Sequence, residues 1–135
     1  MALYLADTSA WHRSRAKARF WAKLMTNGEL AVCAPVALEL GYSARGTRDH
    51  AALQGLLSSL PELPLDTEAS RAASEMQAAL AARAQHRGPR PMDLLIAAIA
   101  QVHEAILLHY DRHFDAIARV TGQPTEWLAR RGSLE

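Results

Sequence analysis

A chain of 135 residues, half of them hydrophobic and 21% charged, has the composition of a globular protein with a buried core, which excludes a disordered chain. That length predicts one domain over residues 1–135, burying roughly two-thirds of the surface that the unfolded form exposes. The single cysteine excludes an internal disulfide and a thiolate metal cluster, and with a net charge of +1 any polyanion site must come from local placement of arginines.

The longest apolar runs are too short to cross a bilayer, and the N-terminus lacks the basic segment, apolar core and cleavage site of a signal peptide. The expected location is therefore cytoplasmic, with no membrane contact.

Ala2-Leu3-Tyr4-Leu5-Ala6 leaves no room for a solvated face, which predicts a buried central strand ending at Asp7. Thr8 or Ser9 then caps a helix through Trp11, Phe20, Trp21, Leu24 and Met25 that stops at Asn27-Gly28. Its polar side carries Arg13, Arg15, Lys17, Arg19 and Lys23, for which a solvated basic face is the plainer reading and phosphate binding the sharper one. Leu30 to Cys33 reads as a second strand, with Cys33 a buried small hydrophobe.

Pro35 suits the first turn of a helix that runs to Tyr42. Glu39 lies in it between two leucines, on a narrow exposed face or in a polar pocket, and periodicity favours the exposed face. A structural helix with Leu53, Leu56, Leu57 and Leu60 follows, then Pro61 to Leu65, which permits only a short edge strand.

Asp66 or Thr67 caps an Ala-rich helix predicted over Glu68 to Arg87 and closed by Gly88, with Arg83, Arg87 and Arg90 near its end. The most apolar helix enters through Pro91, and Asp93 is explained there as an N-cap or first-turn acid. Ala105 to Tyr110 repeats the pattern of the first strand and ends at Asp111. A helix with Phe114 and Ile117 is closed by Gly122, an edge strand holds Trp127, and the Arg130 to Glu135 tail is expected to be mobile. Strands alternating with helices predict a three-layer α/β/α domain with a mostly parallel sheet and right-handed crossovers.

Asp7, Glu39, Asp93 and Asp111 each have an independent structural explanation, yet all fall where the chain can return them to one sheet edge. Four converging carboxylates cannot all stay ionised and unpaired in a low-dielectric cleft. A hard divalent cation resolves that conflict, and oxygen ligands suit magnesium or manganese better than zinc. Such a centre points to cleavage of a phosphate ester.

The segments Ala6 to Ala10, Val36 to Arg45, Met92 to Ala98 and Leu108 to Asp115, in this order, resemble a PIN-domain ribonuclease, and more narrowly the VapC toxins of type II toxin-antitoxin pairs. The resemblance extends over nearly the whole chain, including Thr121-Gly122-Gln123 and Trp127. It implies an acidic pocket that binds Mg²⁺ or Mn²⁺ and cuts single-stranded RNA, with Asp7, Glu39, Asp93 and Asp111 as the metal-binding catalytic set. Thr8 or Ser9 would support Asp7 or a water through a hydroxyl. It also implies a homodimer and a VapB-like antitoxin whose C-terminal segment covers the pocket.

Many relatives carry an acid where this chain has His113, so the fourth position rests on Asp111, with Asp115 able to assist through water. His113 could contact phosphate or modulate pH, though a helix-surface histidine is the more frequent case, and His109 reads as a partly buried, satisfied one. Arg13, Arg15, Arg45, Arg87, Arg90 and Arg112 are the candidates for RNA contact. A phosphatase of the HAD type would need an acid at Ser9, and the stronger rival is a non-catalytic PIN-like binding module.

Overall fold

The computed structural model describes residues 2–135. Strand β1 (Tyr4–Ala6) lies between β2 (Leu30–Ala31) and β3 (Ile106–His109), and β4 (Thr125–Trp127) pairs with the outer side of β3. All three pairings are parallel, with Tyr4 opposite both Leu30 and Ile106, and Leu108 opposite Glu126. The chain steps from β1 to one side and from β3 to the other, so the order reverses between these two central strands. That reversal leaves a crevice at their carboxyl ends, and Asp7 and Asp111 stand just beyond them.

Side chains alternate across the sheet and divide the core into two layers. Leu5, Ala31 and Leu107 face one apolar cluster, built with α3 (Ala34–Tyr42), α5 (Thr67–Ala81), α6 (Pro91–Val102) and α7 (His113–Thr121). Ala6, Leu30 and Leu108 face the other, formed with α1 (Thr8–Trp11) and α2 (Ala18–Thr26). The remaining helix, α4 (Thr47–Leu57), packs on α3.

Four segments differ from the sequence expectation. The first helix is broken: a 3₁₀ turn over Ser14–Lys17 separates α1 from α2, and the cap is Asp7 rather than Thr8 or Ser9. A continuous helix would separate Trp11 and Trp21 by about 15 Å along its axis. In the fold their rings meet edge-on with centroids 4.9 Å apart, so aromatic packing decides the break.

Helix α5 ends at Ala81 instead of Arg87, because its buried stripe of Ala69, Ala73, Met76 and Leu80 has no large apolar successor before Met92. The chain turns there through Ala84 at φ 56°, and Gln85 N–H donates to the Leu80 carbonyl. Pro61 to Leu65 contributes only one bridge, Glu62 to Val32, since two prolines remove ladder donors. The C-terminal tail is pinned rather than loose: Leu134 N–H donates to the Tyr110 hydroxyl at 2.8 Å. Among the described residues, no helix is long and apolar enough to cross a membrane.

Candidate acidic functional site

Asp7 is set by β1 and held by the turn that follows. Its Oδ2 accepts from Ser9 N at 3.0 Å and from the Ser9 hydroxyl at 2.6 Å. The same hydroxyl oxygen accepts from Tyr110 N at 2.9 Å. One serine therefore ties the end of β1 to the end of β3 and fixes Asp7 relative to Asp111.

Thr8 reaches the other way and donates to Glu39 Oε1 at 2.8 Å. Glu39 is drawn into a polar pocket on α3, with 22% of its side chain exposed, which corrects the exposed face that periodicity favoured. A hydroxyl partner from a distant segment is invisible to periodicity.

Asp93 is the first-turn acid of α6, its Oδ2 accepting from Arg90 N at 2.9 Å. It is also almost fully enclosed, with Arg90 Nη2 3.8 Å from it and 4.0 Å from Glu39. Asp111 accepts from His113 N at 2.9 Å, while its own N–H donates to Nδ1 of His109 at 3.2 Å.

Burial pushes the Asp7 carboxyl above its ordinary range, hydrogen bonds from Ser9 oppose the shift, and the charges of Asp93 and Glu39 reinforce it. Burial also raises Asp93, against the Arg90 backbone N–H and guanidinium, with Asp111 and Glu39 adding to the rise. The four acids thus feel one another electrically. Asp7, Glu39 and Asp111 line a cavity of about 560 Å³, and the buried Asp93 lies 3.8 Å from Arg90, which lines it too.

The donor set is all oxygen, which fits a hard divalent cation. The resting arrangement is not a finished ligand shell: among the described residues, no three His, Cys, Asp or Glu side chains form a group that could hold a metal ion. Each carboxylate is turned onto a donor of the protein, as the bonds above describe. The set fits such an ion in charge and chemistry, since each carboxylate keeps an oxygen beyond the one bound to its protein donor.

Of the candidate arginines, Arg13 and Arg90 line this cavity, whereas Arg15, Arg45, Arg87 and Arg112 do not. Arg15 lies in the 3₁₀ turn, Arg45 in the exposed loop before α4, and Arg87 in the exposed turn after α5. Asp115 is not with the acids either: it accepts from Trp127 Nε1 at 3.1 Å and lies 3.9 Å from Arg131. His12, Leu38, Tyr42, Ser43 and Met92 line the cavity without having been singled out. Helical spacing from Glu39 offers a signal for Tyr42 and Ser43, three and four residues on.

His109 is wholly buried between Phe114 and Trp127, and burial pushes its imidazole down to about 4. Neutral His109 accepts at Nδ1 and carries its proton on Nε2, which has no partner, so it is not the satisfied residue expected. Because its folded value lies below the ordinary 6.5, its stabilising contribution is complete above pH 6.5 and is lost as pH falls toward 4. Between pH 7 and pH 5 this loss is about 2 kcal/mol. Asp7 and Asp93, with raised values, act with the opposite sign. Urea unfolding of wild type against His109→Phe separates the two: the variant should lack the His109 part of the slope, and identical slopes would refute this assignment. Cys33 is buried and its thiol is pushed up to about 12, as suits a packing residue.

The sheet order and the carboxylates at its switch point define a PIN-type α/β/α domain, and the PIN domain family matches residues 4–120. Ribonuclease VapC18 of Mycobacterium tuberculosis is 38% identical over 98% of this chain and 99% of its own length. Ribonuclease VapC51 of the same organism is 41% identical over 98% and 97%. The chain belongs to the PIN-domain family, among its VapC proteins. Its fold is similar to that of a chain in the DNA-bound VapBC structure from Salmonella typhimurium, with a TM-score of 0.78, 20% identity and coverage of 96% of this chain and 100% of that one. VapBC-5 from Mycobacterium tuberculosis gives a TM-score of 0.61 at 24% identity, covering 94% and 98%.

Proposed function

We propose that this protein is the toxin of a type II toxin-antitoxin pair, an endoribonuclease that hydrolyses RNA phosphodiester bonds with Mg²⁺ or Mn²⁺. The observation that carries the reading is the convergence of Asp7, Glu39 and Asp111 on one cavity, with Asp93 against its Arg90 wall and feeling the charges of Asp111 and Glu39, in a member of a family whose relatives are named ribonucleases.

Asp7, Glu39, Asp93 and Asp111 would hold the ion. When bound, it supplies Lewis-acid neutralisation of phosphoryl charge and a lowered pKa for water. Ser9 and Thr8 keep Asp7 and Glu39 aimed, so little reorganisation is needed when a phosphate enters. Arg13 and Arg90 at the cavity offset its negative charge and give the phosphate a reason to approach.

Cleavage uses water rather than the ribose 2′-hydroxyl, because an ion held by these acids would lower the pKa of water and so supply the nucleophile. Labelled single-stranded RNA should therefore be cut without any 2′,3′-cyclic phosphate among the products. Cyclic ends would refute the water route, and no cleavage of any RNA would favour a non-catalytic module.

The VapBC neighbours support a small partner protein. Leu38 and Tyr42, 69% and 93% exposed at the cavity, suit an apolar peptide segment laid across it. Co-expression with the small protein encoded beside it should yield a complex, which Leu38→Ser with Tyr42→Ala weakens by about tenfold or more, the loss expected on truncating a contact worth at least 1.4 kcal/mol. A neighbourhood without such a gene would count against the toxin role. Size measurement of the purified chain tests the accompanying expectation of a homodimer.

A further inference from the structure

We propose that a line of arginines leading away from the acidic cavity is the track for the backbone of single-stranded RNA on one side of the cut, an inference that rests on the ribonuclease reading above. Three depressions join end to end through shared walls. Arg13 and Asp111 line both the acidic cavity and a neighbouring cleft of about 450 Å³. Arg112 and Arg131 line both that cleft and a third hollow of about 370 Å³, which Arg119 also lines.

These cations come from three separate segments, with Arg112 at the N-cap of α7 and Arg119 within it, yet the chain as a whole carries a net charge of only +1. Their gathering is a property of the fold. Two of them are held in place: Arg13 Nη1 donates to the Ser9 carbonyl at 3.1 Å with its guanidinium 4.7 Å from the centre of the Tyr110 ring, and Arg131 lies 5.8 Å from that of Trp127. Stacking of this kind fixes the planar fork while leaving N–H groups for phosphate. Arg112 and Arg119 are exposed, and among the described residues neither forms an ion pair.

The acidic cavity repels a polyanion at long range, so strand capture needs positive charge outside it. A path on which Arg13, Arg112, Arg131 and Arg119 outnumber the acids Asp115 and Glu135 starts at Asp111 and supplies that attraction beside the scissile phosphate. Because Tyr110 and Trp127 are already covered by arginines, the track reads backbone and not bases, and the flanking sequence should matter little there.

The test uses Arg112→Ala with Arg119→Ala, and the matching Lys pair, in the full chain. Binding of a fluorescein-labelled RNA of about 20 nucleotides in EDTA should weaken by about tenfold or more, and the log–log salt slope should fall by about 1.4. The Lys pair should restore the slope, and the Ala pair should lower kcat/KM on the RNA of about 20 nucleotides more than on a minimal RNA of about four nucleotides. Wild-type affinity and slope in the Ala pair overturn the track, as does an equal loss on both RNA lengths. Retained RNA binding with lost capture of the antitoxin would also overturn it, assigning the face to an acidic protein segment. If the ribonuclease reading alone fails, wild type cuts neither RNA, while the salt-dependent binding and its loss in the Ala pair remain.

Discussion

Asp7→Asn and Asp93→Asn each reduce RNA cleavage by about 10²-fold or more, at least roughly 2.7 kcal/mol of transition-state stabilisation. Both variants should fold, and both should melt higher than wild type at pH 7. Burial and neighbouring carboxylates raise both acids, so the folded state is penalised for carrying their charge. That penalty is present above the folded pKa and is relieved as pH falls through it. The Asn side-chain oxygen can still accept from Ser9 N or Arg90 N, which keeps the caps of α1 and α6. Cleavage assays and thermal melts at pH 7 and near pH 3 read both halves. Wild-type cleavage by either variant would end the catalytic assignment, and a lower melting temperature at pH 7 would contradict the electrostatic account.

Chelation should abolish cleavage, and Mg²⁺ or Mn²⁺ should restore it. Thermal stability gives a second readout that does not depend on turnover: a cation at about 100 times its Kd stabilises the native state by about 2.7 kcal/mol. Wild type should gain this and Asp7→Asn should lose most of it. Thr8 holds Glu39 through one oxygen and leaves the other free to face an ion, so Thr8→Val should weaken metal binding. Cleavage that persists in EDTA, or equal metal stabilisation of wild type and Asp7→Asn, would refute the metal centre.

The acids could be found in the sequence because of their positions. Asp7 and Asp111 end apolar runs, and an apolar run that stops at a charge marks a strand delivering it to a sheet edge. Glu39 was harder, since the two leucines beside it read equally as a narrow exposed face. The first helix failed because periodicity is a local signal, while the contact of Trp11 with Trp21 is made across a turn. Arg131 carries no local signal, being an ordinary surface arginine until the fold places it beside Arg112, whereas Arg119 lies seven residues after Arg112, two turns along the same helix.

The sequence by itself determined the parallel α/β layering, the carboxylates that end β1 and β3, and the family, because strand burial and motif order are written along the chain. Only the tertiary structure decided that Ser9 bridges β1 to β3, that Thr8 draws Glu39 inward, and that arginines from three segments line one path. Hydrogen bonds and fields act through space over a few ångströms, and which residues come that close is set by packing rather than by their separation in the chain.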